Sequence, residues 1–178
     1  MEETLHHRLS FTLLAVIVFI FSSLAFHHIN EQGILYHDAG MNLLEAKFVG
    51  ESLQTLLKLG SGKPHGKNIW QEIKSTTTGV PIHAGKPGYN VIVWLGSLIA
   101  GFHDTLSAKV TAVAGIFGIV LVFLISRRLS GDDSAICSAA ALASSTFYLV
   151  FSRSGLADTV VSLFFLLGLY IYVRGRSS

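Results

Sequence analysis

The sequence predicts an all-α polytopic membrane protein, with four spans and a long outer loop bearing interfacial amphipathic helices. Its composition is 51% hydrophobic and only 13% charged, where soluble domains run near one quarter charged. Uncharged apolar runs recur at lengths that suit a bilayer. Arginines gather at the ends of those runs, as cytoplasmic flanks do. The formal net charge is +2, and the basic residues form no stripe with interleaved aromatics, so no nucleic-acid partner is indicated. The single cysteine, Cys137, lies inside an apolar run, which excludes an intrachain disulfide, a CxxC zinc site and a redox pair.

The first run, 9–26, holds about 18 residues, enough to span. Ser23-Leu24-Ala25 resembles a cleavage site, but the run exceeds the roughly 7–15 residues of a signal-peptide core, and more apolar segments follow. An uncleaved anchor is preferred, with Arg8 and the N-terminus in the cytoplasm. Region 27–105 reads as the outer loop. Within it Met41, Leu44, Phe48, Val49, Leu53, Leu56 and Leu57 recur at helical spacing, with Asn42, Glu45, Lys47, Glu51, Gln54 and Lys58 between them. This pattern predicts an interfacial helix over 41–59, closed by Gly60-Ser61-Gly62. A second short helix is expected around Trp70 and Ile73, and turn signals bracket His83.

The run 89–102 is only about 14 residues long, which suits an interfacial or re-entrant piece better than a span. If it crossed, Arg127 and Arg128 would end outside and Asp158 would face away from Asp38. If it stays outside, the remaining spans are 106–125, 134–151 and 159–173, and Arg8, Arg127, Arg128, Arg174 and Arg176 all fall in the cytoplasm. The second arrangement is preferred. The lysines from Lys47 to Lys86 do not oppose it, because the charge rule weighs loops shorter than roughly 60 residues. Gly115 and Gly118 are expected to allow close helix packing. No nucleotide-cradling glycine motif is present.

Several residues have chemistry to offer. Asp38, in Tyr36-His37-Asp38, sits at the head of the amphipathic helix, where an Asp is either a helix cap or a base. Asp158, before Thr159-Val160-Val161, has the same two readings. Lys86 and Arg153 are cations near span ends, suited to an anion or to headgroups. His37 and His83 could join the carboxylates as ligands of a divalent metal ion.

The order of these motifs resembles a known family. A first span is followed by Asp38 and the amphipathic helix, then His83-Ala84-Gly85-Lys86-Pro87-Gly88-Tyr89. Lys109 opens the next span, Arg127-Arg128 closes it, and Ser152-Arg153-Ser154-Gly155-Leu156-Ala157-Asp158 precedes the last. Together they are similar to the N-terminal part of the GT-C integral-membrane glycosyltransferases, closest to the bacterial protein-mannosyltransferase-like enzymes of the Rgt and ArnT types. The resemblance covers about residues 9–175. It implies glycosyl transfer from a polyprenyl-phosphate sugar to a glycan, lipid or protein acceptor at the outer face of a bacterial or archaeal plasma membrane. It also implies that Asp38 is the catalytic aspartate of the first loop, that Lys86 contacts the lipid phosphate, and that Asp158 is the aspartate after the third span. Two departures stand out. Ala39 replaces a frequent second acid, and Lys86-Pro87-Gly88 replaces a Lys-Pro-Pro motif. Family members carry many more spans, so the chain is expected to be a fragment, inactive alone. The alternative expectation is a non-catalytic membrane interaction or assembly protein whose acids are helix caps. A small transporter is disfavoured, since the spans hold almost no ionisable residues.

Overall fold

The computed structural model describes residues 2–31, 37–61 and 86–176, and every regular element among them is helical. These are α1 (Glu2–Phe26), a 3-10 turn (Ile29–Glu31), α2 (His37–Ser61), α3 (Pro87–Ala100), α4 (Leu106–Ser130), α5 (Asp132–Ser144), α6 (Thr146–Arg153) and α7 (Asp158–Arg176). Three segments are long and apolar enough to cross a membrane: His6–Glu31, Leu106–Ser130 and Asp158–Arg176. A fourth joins them if the bent pair α5 and α6 is one span. The protein is therefore an all-α polytopic membrane protein. Its long helices turn Phe19, Phe117, Phe164, Phe165 and Ile171 outward, as a lipid solvent allows.

α4 is the central element and packs against every other described helix. Its face toward α1 and α5 buries Ala108, Ala112, Ile119 and Phe123 against Leu14, Phe21, Ala135 and Ala139. Its face toward α2, α3 and α7 buries Leu106 and Ala114 with Ala46, Tyr89, Val93, Ala157 and Val160. Small residues permit the approach, as expected for Gly115 and Gly118: a side chain at Gly115 would strike Ser152, and one at Gly118 would strike the Tyr148 hydroxyl. That hydroxyl donates to the Gly115 carbonyl at 2.9 Å.

The apolar run 134–151 is not one straight helix. α5 and α6 meet at a 61° bend, where Ser145 takes an extended conformation (φ −68°, ψ 113°) and its side chain caps α6 by accepting from Tyr148 N–H. The serine's competition for backbone hydrogen bonds gives the physical reason.

α3 packs against the first turns of α4. Tyr89, near the start of α3, has its hydroxyl 3.5 Å from the Ser107 carbonyl, while Gly96, near its end, faces Val110 and Leu106.

The bundle thus has two distinct ends. At one, Arg127 Nε donates to Asp132 Oδ1 at 2.6 Å, Ser10 Oγ donates to Asp132 Oδ2 at 3.0 Å, and the Arg127 guanidinium lies 4.8 Å over the Phe11 ring. At the other, Arg153 Nη2 donates to the His27 carbonyl at 2.6 Å.

Candidate active site

The expected site residues, so far as they are described, cluster at the second end. α7 begins at Asp158, α3 begins after Lys86, and Asp38 stands in the first turn of α2. The sequence reading started that helix at 41, but it begins at His37, so Asp38 is inside the helix and not ahead of it.

Gly155 ties these starts together. Its φ is +70°, and a Cβ there would come within 2.7 Å of Ser107 Oγ, 3.2 Å of Ala108 N and 3.2 Å of Ala39 Cβ. The last distance places the start of α2 directly against the segment that leads into Asp158. Thr111 Oγ1 accepts from the Gly155 N–H at 3.3 Å and lies 3.0 Å from the Ser152 carbonyl. Tyr89 closes the cluster by donating its hydroxyl to the Gly155 carbonyl at 2.8 Å. Burial pushes the Tyr89 phenol well above its usual pKa, so it keeps the proton it donates.

Lys86 and Asp158 share a cavity of about 270 Å³ with Pro87, Gly88, Tyr89 and Ala157. Val160 and Phe164 line this cavity and also a second, apolar trough of about 510 Å³ between α3, α4 and α7. Lys109 lies on the wall of the trough, with Nζ 2.9 Å from His103 Nε2. Pro87 at the first helical position of α3 pre-sets the helix start. The free N–H groups of that start add positive potential beside the Lys86 ammonium.

Asp38 does not line the shared cavity; its side chain is exposed on the adjoining start of α2. Arg153 does not line it either, and its guanidinium instead fastens α6 to α1 through His27. Of the metal-ligand candidates, His83 lies outside the described residues and His37 opens α2. Among the described residues no three His, Cys, Asp or Glu side chains gather to hold a metal ion, so no step is derived through one.

The structure corrects one reading. Asn42 and Glu45, assigned to the polar face of the amphipathic helix, are 6% and 4% exposed, whereas Leu44 and Leu57 are 43% and 73% exposed. Helical periodicity identifies which residues share a face, but not which face meets the protein when the surroundings are lipid. The place of Tyr89 in this cluster was also missed. Tyr89's place beside the Lys86-Pro87-Gly88 turn was the available signal.

No curated protein and no solved structure matches the chain. The model of the dolichyl-phosphate-mannose-protein mannosyltransferase family matches residues 82–177, a stretch that takes in Lys86, Arg153 and Asp158 and leaves Asp38 upstream. That match spans more than half of a 178-residue chain, and with the helical membrane architecture it places the protein in the dolichyl-phosphate-mannose-protein mannosyltransferase family of GT-C-type glycosyltransferases.

Proposed function

We propose that the protein transfers a sugar from a polyprenyl-phosphate donor to an acceptor hydroxyl at the outer face of the membrane, with Asp38 as general base. The observation that carries this reading is that the Lys86–Asp158 cavity adjoins the apolar trough, the two sharing Val160 and Phe164 in their walls. A charged pocket beside an apolar trough suits a ligand with an anionic head and a hydrocarbon tail. The orientation follows from charge: Arg8, Arg127, Arg128, Arg174 and Arg176 all lie at the end away from Asp158, which makes that end cytoplasmic. With α3, at 14 residues, too short to span and kept on the outer side, the spans are α1, α4, the bent pair α5 and α6, and α7.

In the reaction the acceptor oxygen attacks the anomeric carbon as the bond from that carbon to the phosphate oxygen breaks. Asp38 takes the acceptor's proton, and the electron pair leaves with the lipid phosphate. A carboxylate suits this role because the anomeric centre becomes oxocarbenium-like as the bond breaks. Lys86 and the N–H groups at the start of α3 hold the phosphate where negative charge accumulates. Asp158 lines the same cavity and orients the acceptor. Arg153 serves by anchoring α6 to α1.

The substitution Asp38→Asn tests the assignment, because the amide retains a hydrogen-bonding oxygen and loses the base. Transfer from polyprenyl-phosphomannose is expected to fall by about 10²–10⁴-fold with the thermal midpoint unchanged; near-normal turnover would leave Asp38 a helix-end residue only. Lys86→Ala is expected to raise donor KM.

A further inference from the structure

The seam between α2 and α3 contains a polar contact that the reaction itself does not use. Asn90 Nδ2 donates to Glu45 Oε2, and the two residues are 2% and 4% exposed. Around them the seam is tight and made of small or apolar groups. Ala46 and Val93 are fully buried in one cluster, and a side chain on Gly50 would enter the Trp94 indole. We propose that Glu45 and Asn90 form a buried clasp that fixes the register of α2 against α3, and so sets the position of Asp38 relative to Lys86. Both act as positioning residues for the glycosyl transfer inferred above, on which this proposal rests.

The arrangement is not the one that would give the seam most stability. Asn42 Nδ2 and Asn90 Oδ1 are buried with no hydrogen-bond partner among the described residues, and a buried polar atom left unsatisfied is destabilising. Apolar side chains of similar volume would commonly serve stability as well or better. A directed bond supplies position instead. α2 presents the small residues Ala46 and Gly50 to α3, and the directed Glu45–Asn90 bond adds to the seating of Trp94 at Gly50 a contact that one register alone can make. Each partner is also placed to transmit its position. Glu45 stands two turns, about 10 Å, from Asp38, and Asn90 one turn, about 6 Å, from Lys86. A slip of one residue would shift base against phosphate by about 1.5 Å, and misplacements of about 1 Å can cost 10²-fold in rate.

The test uses the protein at its full natural length in liposomes with polyprenyl-phosphomannose as donor. The double variant Glu45→Leu with Asn90→Leu keeps the seam filled, so its thermal midpoint is expected to hold or rise. Its kcat is expected to fall at least about tenfold, with donor KM within about twofold, since Lys86 remains in place. An unchanged kcat in the folded double variant overturns the clasp. Should that variant not fold, Glu45→Gln and Glu45→Ala decide the matter. The glutamine keeps an acceptor oxygen and is expected to retain kcat, the alanine to lose it, and equal turnover in the two overturns the proposal. A readout independent of activity separates the clasp from the glycosyl-transfer reading. With Cys137→Ser, spin labels at Lys47→Cys and Val91→Cys are expected to give one narrow distance, broadened or shifted by the double leucine change. A broadened distance together with a full-length wild-type protein that transfers no sugar would keep the clasp and reject the transferase reading. An unchanged distance would reject the clasp.

Discussion

At Gly155 a φ of +70° coincides with contact from the starts of both α2 and α4. An added methyl group would incur two separate costs there: the left-handed backbone, about 1–2 kcal/mol, and collision with Ala39 and Ser107. Gly131 has φ +89° and open space where a Cβ would go, so it isolates the backbone term. Gly131→Ala is expected to lower the thermal midpoint modestly and leave transfer intact. Gly155→Ala should lower it further and reduce transfer, because it pushes the start of α2, and Asp38 with it, away from Asp158. Equal transfer rates in the two variants would refute the assignment of Gly155 as the contact that seats α2. The sequence displayed Asp38, Lys86 and Asp158 in similar settings at the heads of helices. It did not display the contact that joins them, because that contact lies in a glycine's missing side chain and in a tyrosine bond reaching across 66 positions.

The elements were legible in proportion to their hydropathy. α1, α4 and α7 follow from uncharged runs alone, and α2 ends at Ser61, within the Gly60-Ser61-Gly62 signal. The break at Ser145 did not show in the apolar pattern, since serine is small and neutral enough to pass unnoticed in a span. The leucines of the interfacial helix face out, as Leu57 does, but the sequence did not show that Asn42 and Glu45 would turn from water to the protein. That arrangement predicts unequal responses to substitution. Gly50→Leu, which drives a side chain into Trp94, is expected to cost about 1–3 kcal/mol by overpacking and to move Trp94 emission, read with Trp70 replaced by Phe. Leu44→Ala, on the exposed face, should leave both emission and midpoint unchanged. A shift in Leu44→Ala as large as in Gly50→Leu would show that α2 is seated by its leucines.

On the scale of the whole molecule, charge separates the two ends, which makes the orientation testable without any substrate. In a Cys137→Ser background, Asp104→Cys, beside the start of α4, is expected to react with an impermeant thiol reagent on intact cells. Ser130→Cys, at the end of that helix, should react only after permeabilisation, and the reverse result would invert the proposed topology. The arginines carry the same orientation proposal in sequence and in structure; that α3 packs on the first turns of α4 needed the Tyr89 and Gly96 contacts. The fastening of α1 also bears on how the chain is made. Its first turns are held through Ser10 and Asp132, 122 positions apart, and its far end through His27 and Arg153, 126 apart. At roughly 5–20 residues per second of synthesis, the ribosome needs on the order of 6–25 s after α1 emerges to deliver those partners. During that interval the first helix has neither clamp, and the insertion machinery or the surrounding lipid must hold it in place while it waits.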